Sequence, residues 1–210
     1  MTDHAWHELL DTRAGEDDGV SRGALLKGAA LGAGAAAAAA LSAAAPALAQ
    51  GRPSRARDVQ ILNFLLLNEY LLEAFYAAAV DKGALTGELA EYAQTVLEHE
   101  RAHMSSLEDL LGADARSAPQ FDFGDKIASN NAFAAAALEL EETASAAYIG
   151  QGANLTRKNI LEAARIVSVE ARHAAWVRDI AGKLPAPNAA DAARSEKQVM
   201  RSLRRGGYIG

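Results

Sequence analysis

Apolar residues recur at intervals of three and four along four stretches of the chain, the spacing that lines up one face of an α-helix. From about Asp58 to Val80 the stripe is Leu62, Leu65, Leu72 and Tyr76, with Glu69 on the same face. From about Thr86 to Leu111 it is Val96, Glu100, His103, Leu107 and Leu110, and Gly112 follows as the expected C-cap. From about Asn131 to Ile149 it is Phe133, Ala137, Glu141, Ala144 and Tyr148. From about Thr156 to Ala181 it is Ile166, Glu170, His173, Val177 and Ile180, and the stretch ends before Gly182, Pro185 and Pro187. The connection from Gly112 to Asn131 is long for a turn between antiparallel helices and long enough to run from one end of a bundle to the other. The pattern therefore predicts an all-α, up-down four-helix bundle over residues 58–184, with one long crossover between helices two and three. Residues 51–57 read as a basic, Pro-containing linker, and residues 185–210, with Arg201, Arg204 and Arg205, as a tail forming a surface helix or a flexible end.

Each stripe is interrupted by a carboxylate, and two also by a histidine. A shift of seventy residues maps Val96, Glu100, His103, Leu107 and Leu110 onto Ile166, Glu170, His173, Val177 and Ile180, so the chain is an internal repeat of a helix pair. Positions i and i+3 lie on one helix face, so the Glu and His of each Glu-x-x-His aim at one volume. Glu and His on these stripes are buried with the core, and isolated buried carboxylates cost several kcal/mol unless paired, protonated or metal-bound. In chain order the candidate ligands are Glu69, Glu100 with His103, Glu141, and Glu170 with His173. That order matches the one known for di-iron carboxylate bundles. Glu69 and Glu141 are selected over neighbours such as Glu73 because each precedes a tyrosine, Tyr76 or Tyr148, by seven residues. The seventy-residue shift instead maps Glu69 onto Glu139, and Glu142 is adjacent to Glu141, so Glu139 and Glu142 stand as alternatives. Tyr76 and Tyr148 read as core aromatics, and His99 as a surface residue or one that backs the ligands.

Composition narrows the chemistry. Half the residues are hydrophobic and only 6% aromatic, which suits packed helices, and the net charge of −6 excludes a general attraction to nucleic acid. Cysteine is absent, which excludes disulfides, thiolate ligands and cysteine nucleophiles together. The remaining donors suit iron, manganese or zinc better than Cu(I) or an iron–sulfur cluster.

The first fifty residues read as an address. Ser21, Arg22, Gly23, Ala24, Leu25, Leu26 and Lys27 precede a long Ala/Gly/Leu run that ends at Pro46, Ala47, Leu48 and Ala49. A charged region, an apolar region and the small residues Ala47 and Ala49 predict an export signal over residues 1–49, cleaved after Ala49. It resembles a twin-arginine signal, with Gly23 where the second arginine would stand. An N-terminal membrane anchor is the alternative, since Gly28 to Ala49 is long enough to span a bilayer; a membrane contact is expected only if this segment stays uncleaved. His4 and His7 fall in this segment and carry no weight.

The runs Leu62-Asn63-Phe64 with Glu69 to Tyr76, Glu141 to Gly150, and Glu170 to Trp176 resemble the exported ferritin-like domain proteins of bacteria, relatives of bacterioferritin and rubrerythrin and similar to plant desiccation-related proteins. The resemblance covers about Asp58 to Leu184 and implies a left-handed ferritin-like bundle with a centre of two iron or manganese ions. It fixes no single reaction, since related bundles oxidise ferrous iron, reduce or dismute peroxide, activate oxygen or have no assigned activity. Taken with the export signal, the expectation is a protein of the periplasm or cell envelope that oxidises ferrous iron or consumes peroxide, as a ferroxidase- or peroxidase-like oxidoreductase acting on peroxide or oxygen, in oxidative or desiccation stress defence. The alternative is a non-catalytic structural or partner-binding envelope protein whose metal site is stabilising or vestigial. Rubrerythrin's cysteine motif is missing, which excludes a built-in electron-transfer module, and no cage-forming fifth helix is recognisable.

Overall fold

Four long helices form where the apolar stripes lie: α1 Arg55–Lys82, α2 Glu88–Leu111, α3 Asn130–Gly152 and α4 Arg157–Ile180. A fifth, α5, spans Glu196–Arg205. They come from a computed structural model that describes residues 52–209; the export signal expected over residues 1–49 lies outside the described residues. Local chemistry sets the helix ends. The Ser54 hydroxyl accepts from Arg57 N–H at 3.3 Å to start α1, and Ser129 does the same for Ala132 N–H to start α3. Gly83 closes α1 at φ 62°, a left-handed turn that glycine enters without steric cost.

Side-chain pairs fix the topology. Tyr70 with Glu108, Glu73 with Arg101 and Tyr76 with Tyr92 join α1 to α2 in antiparallel order. Ser106 with Glu162 and His99 with His173 join α2 to α4, also antiparallel. Tyr76 with Glu141 and Tyr148 with Glu69 do the same for α1 and α3. Each helix thus runs against both of its neighbours, while α2 and α3 lie across a diagonal and run parallel. That arrangement requires the connection between them to travel the bundle's length, as the expected crossover does. Asn63 on α1 holds its near end, accepting from Arg116 N–H and donating to the Asp114 carbonyl. Phe123 seats its far half edge-on against Phe75, which itself stacks on Phe133.

The stripes on α1 and α3 prove too narrow. Ile61, Leu62, Phe64, Leu65, Leu66, Leu71, Leu72 and Phe75 are all buried along α1, which is apolar on more than one side. α1 is long and apolar enough to cross a membrane, yet most of its apolar stretch is buried inside the bundle. The 3₁₀ turn Gly124–Ile127 in the crossover packs against both α1 and α3. α5 packs on α3 as well, and Val199 and Leu203 on the helix and Tyr208 just after it are buried. Of the two forms expected for the tail, the docked helix is the one present. The Arg194 amide donates to the Ala146 carbonyl at 2.9 Å, and a Cβ on Gly150 would run into the Arg194 backbone at 1.9 Å. Each fully buried Leu or Phe adds about 1.5–3 kcal/mol, and this core stabilises the polar centre it surrounds.

One buried carboxyl group ties the two hairpins. Asp58 on α1 accepts from the Thr156 amide at 2.9 Å, from the Thr156 hydroxyl and from Asn159 Nδ2 at 2.7 Å, so it caps the start of α4 from another helix. Asp58→Ala is expected to lower stability by about 1–2 kcal/mol, the usual worth of a cap, read as a shifted urea midpoint with an unchanged slope.

Candidate metal centre

Glu69, Glu100, Glu141 and Glu170 are fully buried, one on each long helix, and meet halfway along the bundle with His103 and His173. His103 Nδ1 lies 2.8 Å from Glu170 Oε1, 3.4 Å from Glu100 Oε2 and 3.6 Å from Glu69 Oε2. His173 Nδ1 lies 3.1 Å from Glu100 Oε1, 3.5 Å from Glu141 Oε2 and 3.9 Å from Glu170 Oε2. Glu100 and Glu170 therefore split their oxygens, one toward each histidine. Glu69 stays with His103, and Glu141 with His173. The six residues form two overlapping groups, Glu69/Glu100/His103/Glu170 and Glu100/Glu141/Glu170/His173, whose donor atoms lie within 4.8 Å of one another.

The alternatives to Glu141 point elsewhere. Glu139 is exposed and accepts from the Tyr208 hydroxyl, while Glu142 pairs with Arg178. Glu73 pairs with Arg101 at 3.0 Å. The two tyrosines expected as core aromatics are buried and also bond the centre: Tyr76 donates to Glu141 Oε1 and Tyr148 to Glu69 Oε1, each across to the facing helix. One contact, of Tyr92, goes beyond the sequence reading, and another decides between the two readings of His99, which backs a ligand. Tyr92 sits with its hydroxyl 3.0 Å from that of Tyr76, and His99 Nδ1 lies 2.9 Å from His173 Nε2. Extending the α2 stripe one turn back from Val96 reaches Tyr92; nothing in the apolar pattern marks His99.

Burial and crowding decide where protons sit. Burial opposes a charge on His103, but Glu100, Glu170 and Glu69 outweigh it and push its pKa up to about 12. Burial likewise opposes a charge on His173, and Glu141, Glu100 and Glu170 push it up to about 10. Glu69 is raised to about 7, first by burial and then by the charge of Glu100, and Glu170 goes well above the usual carboxylate range for the same two reasons. Glu100 alone falls, to about 2, because the two histidines overcome its burial.

Whether these residues suit a cation is answered by their unsatisfied atoms. Among the described residues, ten buried side-chain N and O atoms have no hydrogen-bond partner. Eight belong to this cluster: Glu69 Oε2, both oxygens of Glu100 and Glu170, Glu141 Oε2, and Nδ1 of both histidines. They are the inward atoms, four in each group. The other oxygens of Glu69 and Glu141 are those the tyrosines hold. Buried polar atoms are rarely left orphaned, and oxygen and imidazole donors converging in this way fit a metal site.

A bundle of four helices with a carboxylate and histidine cluster at its middle defines the class of protein. The family model for the ferritin-like domain matches residues 57–183, and the chain belongs to that family. None of the curated proteins compared with the chain matches it.

A cation taken up on Nδ1 must displace the proton that each histidine holds at neutral pH. Because both histidine pKa values are raised, the competing protons are present throughout pH 6–8, and affinity should strengthen as pH rises. Calorimetric titration with Mn(II) in two buffers of different ionisation enthalpy is expected to show release of about two or more protons per loaded chain. Uptake without proton release would count against these protonation states.

Proposed function

We propose that the chain binds a pair of iron or manganese ions and uses them to oxidise ferrous iron or consume peroxide, in defence against oxidative or drying stress. The observation that carries this reading is the set of eight orphaned inward atoms divided four and four. Glu100 and Glu170, each with one oxygen in either group, would help to hold both ions. Glu69 and His103 complete one position, and Glu141 and His173 the other. When bound, two redox-active ions supply paired one-electron changes and polarise an oxygen species.

The protein's own part is to fix the donors and limit water. Tyr76 and Tyr148 anchor the outer oxygens of the two unshared glutamates, which leaves each a single inward oxygen. All four carboxyl groups are shielded from solvent, whereas His103 keeps 10% of its side chain exposed and marks the side nearest to water. A small oxidant such as peroxide would reach the centre from there. The overall change balances as two ferrous ions giving two electrons to one peroxide, which takes up two protons and leaves as two waters. The signal read over residues 1–49 supports placing this activity in the periplasm or cell envelope.

Purified chain reconstituted with Fe(II) or Mn(II) is expected to hold two ions per chain by elemental analysis and to consume peroxide or oxidise added ferrous iron. Glu100→Ala combined with His173→Ala should lower that turnover by about 100-fold or more, since even groups that only back a ligand cost 10–100-fold. Turnover unchanged alongside lost stability would favour a structural role, and a chain that stays metal-free after reconstitution would end the proposal.

A further inference from the structure

The two halves of the centre differ in what lies behind their donors. His173 presents Nδ1 to the carboxylates, so with a cation on that nitrogen its proton sits on Nε2. Nε2 lies 2.9 Å from Nδ1 of His99, which is then the acceptor and keeps its own proton on Nε2. The two rings lie nearly parallel, 10° apart. His103 also presents Nδ1, but among the described residues no protein group accepts from its Nε2. The unshared glutamates differ in the same sense. Tyr76, whose proton goes to Glu141, accepts from the Tyr92 hydroxyl at 3.0 Å. Tyr148 holds Glu69 with no such backing among the described residues. In the seventy-residue register His99 corresponds to Val169 and Tyr92 to Glu162, so the internal repeat is broken on one side only.

We propose that His99 is a positioning residue that makes the two metal positions unequal: the Glu141/His173 position binds a divalent cation first and more tightly, and the Glu69/His103 position second. This rests on the reading that the six donors bind two ions. An acceptor on the far nitrogen of a ligating imidazole fixes its tautomer and ring plane and makes the ligating nitrogen more basic. The shared Glu100 and Glu170 add a second effect. The first cation removes part of the negative charge that attracts the next, so the positions fill in sequence and His99 decides which leads.

Titration with Co(II), followed by calorimetry and by its visible absorption, tests this on chains reduced to one complete position. His103→Ala keeps the Glu141/His173 position and His173→Ala keeps the other. The first should bind Co(II) at least about tenfold more tightly than the second. Adding His99→Ala to His103→Ala should weaken binding by about 10–100-fold and shift the absorption bands, while adding it to His173→Ala should change neither. His99→Gln should recover part of the loss, since its amide oxygen can accept the same N–H. Val169→His, made with all six donors intact, tests the idea without removing anything: it should tighten the weaker of the two binding steps. Equal affinities in the two single-position chains, or an equal loss from His99→Ala in both, would overturn the proposal while leaving the two-ion centre standing. Failure of the unaltered chain to bind Co(II), Fe(II) or Mn(II) would overturn both.

Discussion

Four carboxyl groups with no access to water, packed within a side chain's length of each other, set the terms for everything around them. Water would solvate such groups freely, and a protein interior charges several kcal/mol for each ion left alone. The bundle answers with two imidazoles from the same helices that carry Glu100 and Glu170, and with two tyrosine hydroxyls from the helices that carry Glu69 and Glu141. Eight inward atoms, the two imidazole nitrogens among them, are close enough to share charge but make no well-aligned hydrogen bond, and all face the centre. An apolar helix stripe interrupted by Glu would be a poor way to stabilise a bundle. It is a good way to hold cations on rigid elements, with the stability supplied by the layers of Leu, Phe and Ala on either side.

Antiparallel packing explains why the tyrosines do this work. Glu69 precedes Tyr76 by seven residues, and Glu141 precedes Tyr148 by seven, so each helix presents a carboxylate and a phenol two turns apart on one face. When α1 and α3 run in opposite directions, Tyr148 arrives level with Glu69 and Tyr76 level with Glu141. One spacing, used twice, closes two bonds. The same two turns in a parallel pair would set carboxylate against carboxylate. The long crossover is what makes this packing available, because it returns the chain to the far end before α3 begins.

Most of this architecture is written in the apolar periodicity. The four long helices, the crossover, and Glu69, Glu100, His103, Glu141, Glu170 and His173 as one convergent group all follow from stripes and spacings. The choice among Glu139, Glu141 and Glu142 was harder because the repeat is not uniform. Glu69 precedes Glu100 by 31 residues, whereas Glu141 precedes Glu170 by 29, so the register that fits α2 and α4 misplaces α3 by two. Two turns to a tyrosine proved the better guide than a fixed shift, since it reflects a contact rather than a loop length. The docking of α5 was less legible. Prolines and glycines around Pro185 to Pro187 break the pattern, and only three buried residues, Val199, Leu203 and Tyr208, carry the contact. His99 was least legible of all, since it is exposed on its own helix and gains its meaning from His173, 74 residues away.

Protons and cations compete for the same volume in this centre. With every donor deprotonated the cluster carries four negative charges. In the metal-free chain four groups have raised proton affinity, His103, His173, Glu69 and Glu170, while Glu100 is the one held ionised below its usual range. Protons held by those groups and cations held by the same donors thus offset the same negative charge. The scaffold therefore has no need to rearrange between the two states: the donors stay where helices and tyrosines put them, and only the positive charge is exchanged. Six donors carried on four packed helices are held in place by the core around them. That is the condition under which a contact as small as the one from His99 to His173 can decide which position fills first.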